Sequence, residues 1–269
     1  MLIDSSNAPA SPESSPAESS LAKRLGILGH VVVTSVTGIL LYALPPILAS
    51  VLLIMGISLS GVSEGRIESL FTDNSFGQFV YILTTEIIVL SLLLWLLKLA
   101  GESLRSIGIA AWPTLKTVGY VLGGLGVYYA AYIVAVLLIS VLLPTIDLGQ
   151  EQEIGFDRTG GDGLVWVFLS LVVLAPIAEE LVFRGYLYAR FRRVLSYAWA
   201  AIIVSLLFGA MHLQFGTGNP LLWVAAIDTF ILSMVLVYQR EKSGTIWASV
   251  VTHATKNFIA FYLIFIRAL

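Results

Sequence analysis

The sequence predicts an all-α fold, a polytopic bundle of transmembrane helices with about seven spans, or eight if the first apolar block hides a second partial span. Three observations carry this. Of the 269 residues, 58% are hydrophobic and only 12% are charged, with a mean hydropathy of +0.91, whereas a soluble domain carries about 25% charged residues. The apolar residues come in long blocks, close to the roughly 20 residues needed to cross a bilayer. Lys and Arg alternate in density between successive connecting segments, as a membrane topology requires.

In chain order, residues 1–22 open with Ser, Pro, Ala and acids and almost no bulky apolar side chain, and are expected to form a disordered tail. Lys23 and Arg24 then precede an apolar block too long for a signal peptide and without a clear small-residue cleavage site, so it reads as a retained first span. Spans are expected at about 27–59, 79–100, 117–143, 164–188, 197–213, 220–239 and 245–266. Pro45 and Pro46 sit inside the first, which is overlong, so it is either one kinked, tilted helix or a helix plus a partial span. The domain division expected is the tail, N-terminal helices over 23–160, and a C-terminal core over 161–269.

The segments holding Lys23 and Arg24, then Lys98, Arg105 and Lys116, then Arg190, Arg192 and Arg193, then Arg240 and Lys242 are expected on the cytoplasmic side. The intervening loops carry Arg66 and Arg158 among acids such as Glu64, Glu68, Asp73, Glu151, Glu153 and Asp157, and should lie outside. The N-terminus is then cytoplasmic. Short loops and compact length point to a bacterial plasma membrane. A net charge of -2 and a pI near 5.9 give no attraction to nucleic acid. The absence of cysteine removes disulfides, Cys-ligated zinc and a thiol nucleophile, leaving Glu, Asp, His, Ser and Lys for chemistry.

An ionisable group at bilayer depth costs roughly 2.5–3.5 kcal/mol on insertion scales, so each one needs a partner or a job. Glu179 and Glu180 follow a long uncharged run, and adjacent carboxylates there resist joint ionisation. Arg184 stands four residues after Glu180, the favourable orientation for a helical ion pair, so Glu180 reads as structural. Glu179 points about 100° away around the helix with no basic residue at i+3 or i+4, which makes it the candidate general base. Pro176 is expected to bend the helix beside it. If the next helical hairpin turns near Ser196, Glu180 and His212 lie equally far from the turn and share one depth. His253 and Asn257, at i and i+4, share one helix face. Asp228 and Lys256 read as a buried pair, with Asp228 as an orienter of His253 the sharper version. His30 reads as an interfacial residue, and Glu86, inside the second span, as facing a helix interface or water without a role.

Over residues 164–266 the chain resembles the CPBP family, the CAAX proteases and bacteriocin-processing, Abi-like enzymes of the type II CAAX endopeptidase group. The resemblance rests on EExxxR from Glu179 to Arg184, FxxxH from Phe208 to His212 and HxxxN from His253 to Asn257, in order on consecutive apolar segments. It implies a hydrolase, an intramembrane endopeptidase cutting near the C-terminus or membrane face of a lipid-modified, prenylated or membrane-anchored peptide substrate. It also implies that Glu179 and His212 activate water while His253 and Asn257 stabilise the oxyanion. That is compatible with the residues: a carboxylate kept from bulk water is a competent base, and an amide donor at the oxyanion contributes roughly 2.7–4 kcal/mol. No cofactor is the preferred reading. Glu179, His212 and His253 also match a two-His, one-carboxylate zinc site, so a metalloprotease stays open. The alternative of another class is a non-catalytic membrane scaffold or bacteriocin-immunity protein of the same fold. A proton-relaying transporter would leave the company of the three motifs unexplained.

Overall fold

The computed structural model describes residues 16–109, 113–146, 148, 156, 161–213, 221 and 223–267. Among these all the regular secondary structure is helical. The helices are α1 (Pro16–Leu59), α2 (Glu64–Thr72), α3 (Ser75–Leu99), α4 (Leu115–Leu142), α5 (Gly163–Phe191), α6 (Tyr197–Met211), α7 (Trp223–Ser243) and α8 (Trp247–Ile266), with a single 3-10 turn at Leu104–Ile107. Six of them, α1, α3, α4, α5, α7 and α8, are long and apolar enough to cross a membrane. Leu122 and Leu142 of α4 and Val33 of α1 are more than half exposed, the outward apolar surface that hydrocarbon rather than water accommodates.

Three details depart from the sequence expectations. α1 begins at Pro16, inside the expected tail: proline at a first helical position has its φ already set, and the residues after it are good helix formers. Residues 1–15 lie outside the described residues, as do Glu151, Glu153, Asp157 and Arg158 of the expected outer loop. α1 also runs unbroken through Pro45 and Pro46, so it is one helix, and no partial eighth span separates from it. The expected span at 197–213 is α6, only 15 residues, or about 22 Å of helix against a hydrocarbon core of about 30 Å. Its end at Met211 leaves His212 at the terminus of a helix packed between α5 and α7.

The centre of the bundle is α5. Leu181, Val182, Phe183, Tyr186, Leu187, Tyr188 and Phe191 are all buried, packed against Leu41 of α1, Val89, Leu93 and Leu97 of α3, and Ala200, Ala201, Val204 and Phe208 of α6. A smaller apolar cluster joins Tyr128 of α4 to Leu232, Val235 and Leu236 of α7. Gln239 of α7 ties three helices together by donating to the Tyr120 carbonyl at 2.6 Å and to Thr252 Oγ1 at 2.9 Å. Gly124 makes that approach possible, because a Cβ there would come within 2.0 Å of the Gln239 amide nitrogen.

The basic segments converge on one end of the bundle. Glu102, in the connection after α3, accepts from Arg190 at 3.1 Å and from Arg193 at 2.9 Å. Arg192 pairs with Glu241 at 3.1 Å, and His30 near the start of α1 meets the Arg190 carbonyl at 3.1 Å. The ends of α3, α5 and α7 and the first part of α1 are thereby joined at the end where the positive charge collects.

The Glu102 carboxyl is held below its usual value of 4.5, first by its hydrogen bond from Arg193 and then by the charges of Arg190 and Arg193, partly opposed by desolvation. A folded-state value below the unfolded one adds stability above 4.5 that disappears as pH falls through the folded value. The wild type is therefore expected to melt above Glu102→Gln in detergent at neutral pH, the two converging in acid below pH 4.5. Melting curves against pH check this; a gap that persists unchanged in acid contradicts it.

Candidate active site

α5 does not run as a regular α-helix past the acidic pair. Leu169–Leu174 and Leu181–Leu187 are π-helical, on either side of a short α-helical stretch, Ala175–Glu180. In the first π turn the Ala175 amide donates to the Ser170 carbonyl. One step on, the same register would have residue 176 donate to the Leu171 carbonyl, but that residue is Pro176 and has no N–H. The missing donor comes from α8: Asn257 Nδ2 reaches the Leu171 carbonyl at 2.9 Å. Asn257 thus fastens α8 to α5 at the point the proline opens, and keeps a second amide hydrogen.

The three motifs lock into one another. Arg184 Nη1 donates to Glu180 Oε1 at 2.7 Å, and both side chains are fully buried. The Arg184 guanidinium lies over the Phe208 ring, 4.4 Å from its centroid. With Ser196 as the first cap of α6, Arg184 and Phe208 lie twelve residues on either side of the turn, so the expected equal depth of the EExxxR and FxxxH motifs is met through this contact. The Phe208 ring also carries both histidines, His212 at 4.6 Å and His253, edge-on, at 5.9 Å between ring centroids. His253 closes the circuit: its Nδ1 lies 3.1 Å from Glu180 Oε1, and its Nε2 lies 3.8 Å from Glu179 Oε2.

These contacts fix which ring nitrogens are available. A carbonyl only accepts, so His212 Nδ1, 2.8 Å from the Phe208 carbonyl, carries a hydrogen, and in the neutral ring Nε2 keeps its lone pair. Glu179 differs from its neighbour. Its side chain keeps about 15% of its surface exposed while that of Glu180 keeps none, although each of the two has a buried Oε2 without a hydrogen-bond partner. It lines a cavity of about 140 Å³ together with Ala178 and Val182 of α5, Leu41, Tyr42 and Pro46 of α1, and Thr85, Glu86 and Val89 of α3. Glu86, read from sequence as having no role, therefore faces the same space as Glu179; its position within an apolar span was the available signal.

Residues 161–259 match a family model described as Rce1-like, type II CAAX prenyl endopeptidase. This segment is similar to the Rce1-like family. The match bears out the resemblance read from the three motifs, all of which the Rce1-like segment contains. Among curated proteins, the chain is 31% identical over 134 residues to the Uncharacterized protein YyaK of Bacillus subtilis, an alignment covering 48% of this chain and 42% of that one. It is 29% identical over 142 residues to the UPF0177 protein YbdI of Lactococcus lactis, covering 52% of this chain and 67% of that one. The chain thus spans less than half the length of the first relative. No solved structure matches it significantly. With six helices long and apolar enough to cross a membrane and this family match, the chain is an integral multi-pass membrane protein.

The Rce1-like segment supplies the acids and imidazoles, whereas Tyr42, Thr85 and Glu86 come from helices that precede it. The pair expected between Asp228 and Lys256 forms at 2.7 Å, and the Tyr128 hydroxyl also donates to Asp228. It joins α4, α7 and α8, and Asp228 has no contact with His253 that would orient the ring. Among the described residues, no group of three or more His, Asp or Glu side chains is arranged to hold a metal ion. His212 and His253 each already have Nδ1 engaged, on Phe208 and Glu180 respectively.

Two stability outcomes follow from these contacts. Arg184→Leu leaves the buried Glu180 with His253 but without its guanidinium and is expected to cost about 3–5 kcal/mol, read as a large fall in melting temperature or loss of folded protein. Asn257→Leu strands the Leu171 carbonyl at about 1–3 kcal/mol. Adding Pro176→Ala restores a backbone donor and should recover much of that loss; a double variant no more stable than Asn257→Leu alone contradicts the role assigned to Asn257.

Proposed function

We propose that the site is the active centre of an intramembrane endopeptidase that hydrolyses a peptide bond near the C-terminus, or at the membrane face, of a lipid-modified or membrane-anchored substrate, without a metal. The observation that carries this reading is the asymmetry of the acidic pair: Arg184 and His253 hold a fully buried Glu180, while Glu179 is partly exposed and lines a cavity. Glu179 is the base. It takes a proton from water as the water oxygen adds to the scissile carbonyl carbon, then passes that proton to the leaving amine as the C–N bond breaks. The His212 Nε2 lone pair helps orient the water. The second amide hydrogen of Asn257 meets the oxyanion, and His253 joins it as a donor whenever Nε2 is protonated, the ring then being stabilised by Glu180.

The convergence of basic residues at one end of the bundle supports a cytoplasmic location for that end and for the start of α1. A bacterial plasma membrane is the proposed host. A substrate held by a prenyl or other lipid anchor presents its peptide at the membrane, within reach of polar groups carried on spans.

The test is cleavage of a farnesylated C-terminal peptide by the full chain in liposomes. The wild type is expected to release the terminal fragment, and Glu179→Gln to lose on the order of 10²–10⁴-fold in rate. Equal rates for the two proteins would defeat the assignment of the base. Stoichiometric zinc in the purified wild type that disappears in His212→Ala would defeat the metal-free mechanism.

A further inference from the structure

The cavity beside Glu179 is built mostly by the part of the chain outside the Rce1-like segment. α1 gives it Leu41, Tyr42 and Pro46, and α3 gives it Thr85, Glu86 and Val89. Tyr81 of α3 donates to the Pro46 carbonyl at 3.4 Å and ties these two helices together at its wall. Apolar packing does not account for the polar residues in this lining. Glu86 sits well inside a hydrophobic span, where a carboxyl group is expensive, and it has no ion pair or hydrogen bond to another described residue. Thr85 Oγ1 and Glu179 Oε2 are both buried without a hydrogen-bond partner. Unpaired buried polar atoms around one space cost free energy unless that space is wet. At about 140 Å³ the cavity far exceeds the roughly 10–15 Å³ that one water requires, and its four polar side chains supply the 2–4 partners a buried water uses.

We propose that this cavity is a water store that supplies the site from the N-terminal helices, and that Glu86 is the positioning residue that holds water against Glu179. The proposal rests on the reading of Glu179 as the base only for its consequence in catalysis; the hydration of the cavity stands apart from it. Glu86 acts through its hydrogen bonds to water and makes no contact with substrate, so a carboxamide can replace it. An apolar side chain cannot.

The variants are Glu86→Leu and Glu86→Gln in the full chain. Leucine removes a carboxyl group from a membrane span, so the first variant is expected to fold, as the melting temperature verifies. Hydroxyl-radical footprinting reads the water without any need for activity: Tyr42 is expected to be oxidised in the wild type and in Glu86→Gln, and several-fold less in Glu86→Leu. In the farnesyl-peptide assay, Glu86→Leu is expected to lose on the order of tenfold to a hundredfold in kcat with KM nearly unchanged, and Glu86→Gln to recover most of it. A Tyr42 that is not labelled in the wild type overturns the proposal. So does labelling that is indifferent to Glu86→Leu, or a glutamine variant as impaired as the leucine one. If labelling depends on Glu86 as expected while Glu179→Gln cleaves like the wild type, the water store holds and the reading of Glu179 falls.

Discussion

The buried ion pair between Glu180 and Arg184 is the constraint on which the rest of the site depends. Both side chains are out of reach of solvent, and two charges in such a place persist only when each is matched by the other and by further polar or π contacts. Those further contacts are the other two motifs. Phe208 lies against the guanidinium and His253 against the carboxylate, so α6 and α8 are positioned by the electrostatic needs of α5. The arrangement also leaves Glu179, one residue away and on a different side of the helix, with no basic partner closer than His253 Nε2 at 3.8 Å. A carboxylate pair in which one member is neutralised and the other is left facing a cavity is the arrangement that separates structure from chemistry.

The backbone of α5 carries the second half of the design. Pro176 interrupts the hydrogen-bond ladder just before the acidic pair, and π-helical turns lie on both sides of the pair. Such turns leave carbonyls in need of donors, which a bilayer does not provide. Asn257 meets that need at Leu171. The HxxxN spacing therefore does two things at once, with His253 reading the acids and Asn257, one turn later, bracing the helix that carries them. The N-terminal helices then complete the surroundings, since Tyr42, Thr85 and Glu86 line the cavity that Glu179 also borders.

Much of this was legible in the chain itself. Composition, span length and the alternation of basic residues determined a membrane-embedded helical bundle, because a hydrocarbon solvent permits few other ways to satisfy the backbone. Helical periodicity determined that Glu180 faces Arg184 and that Glu179 does not, since i to i+4 is a fixed geometry on any α-helix. The symmetric spacing about Ser196 determined that the second motif would meet the first at one depth. Local rules, applied to single helices or to one hairpin, were sufficient for each of these.

Only the tertiary structure decided what crosses between helices far apart in sequence. That His253 bridges the two glutamates, that Asn257 answers the carbonyl exposed by Pro176, and that Glu86 shares a cavity with Glu179 depend on how α3, α5 and α8 are rotated and how deep they sit. Side-chain packing sets those quantities, and no repeat or spacing within one helix encodes them. The shortness of α6 and the continuity of α1 through two prolines likewise emerged only in the folded chain. The amino-acid order was enough for the solvent, the helices and the pairing of Glu180, because these follow from local rules; which costly buried groups border a cavity follows from how the helices assemble.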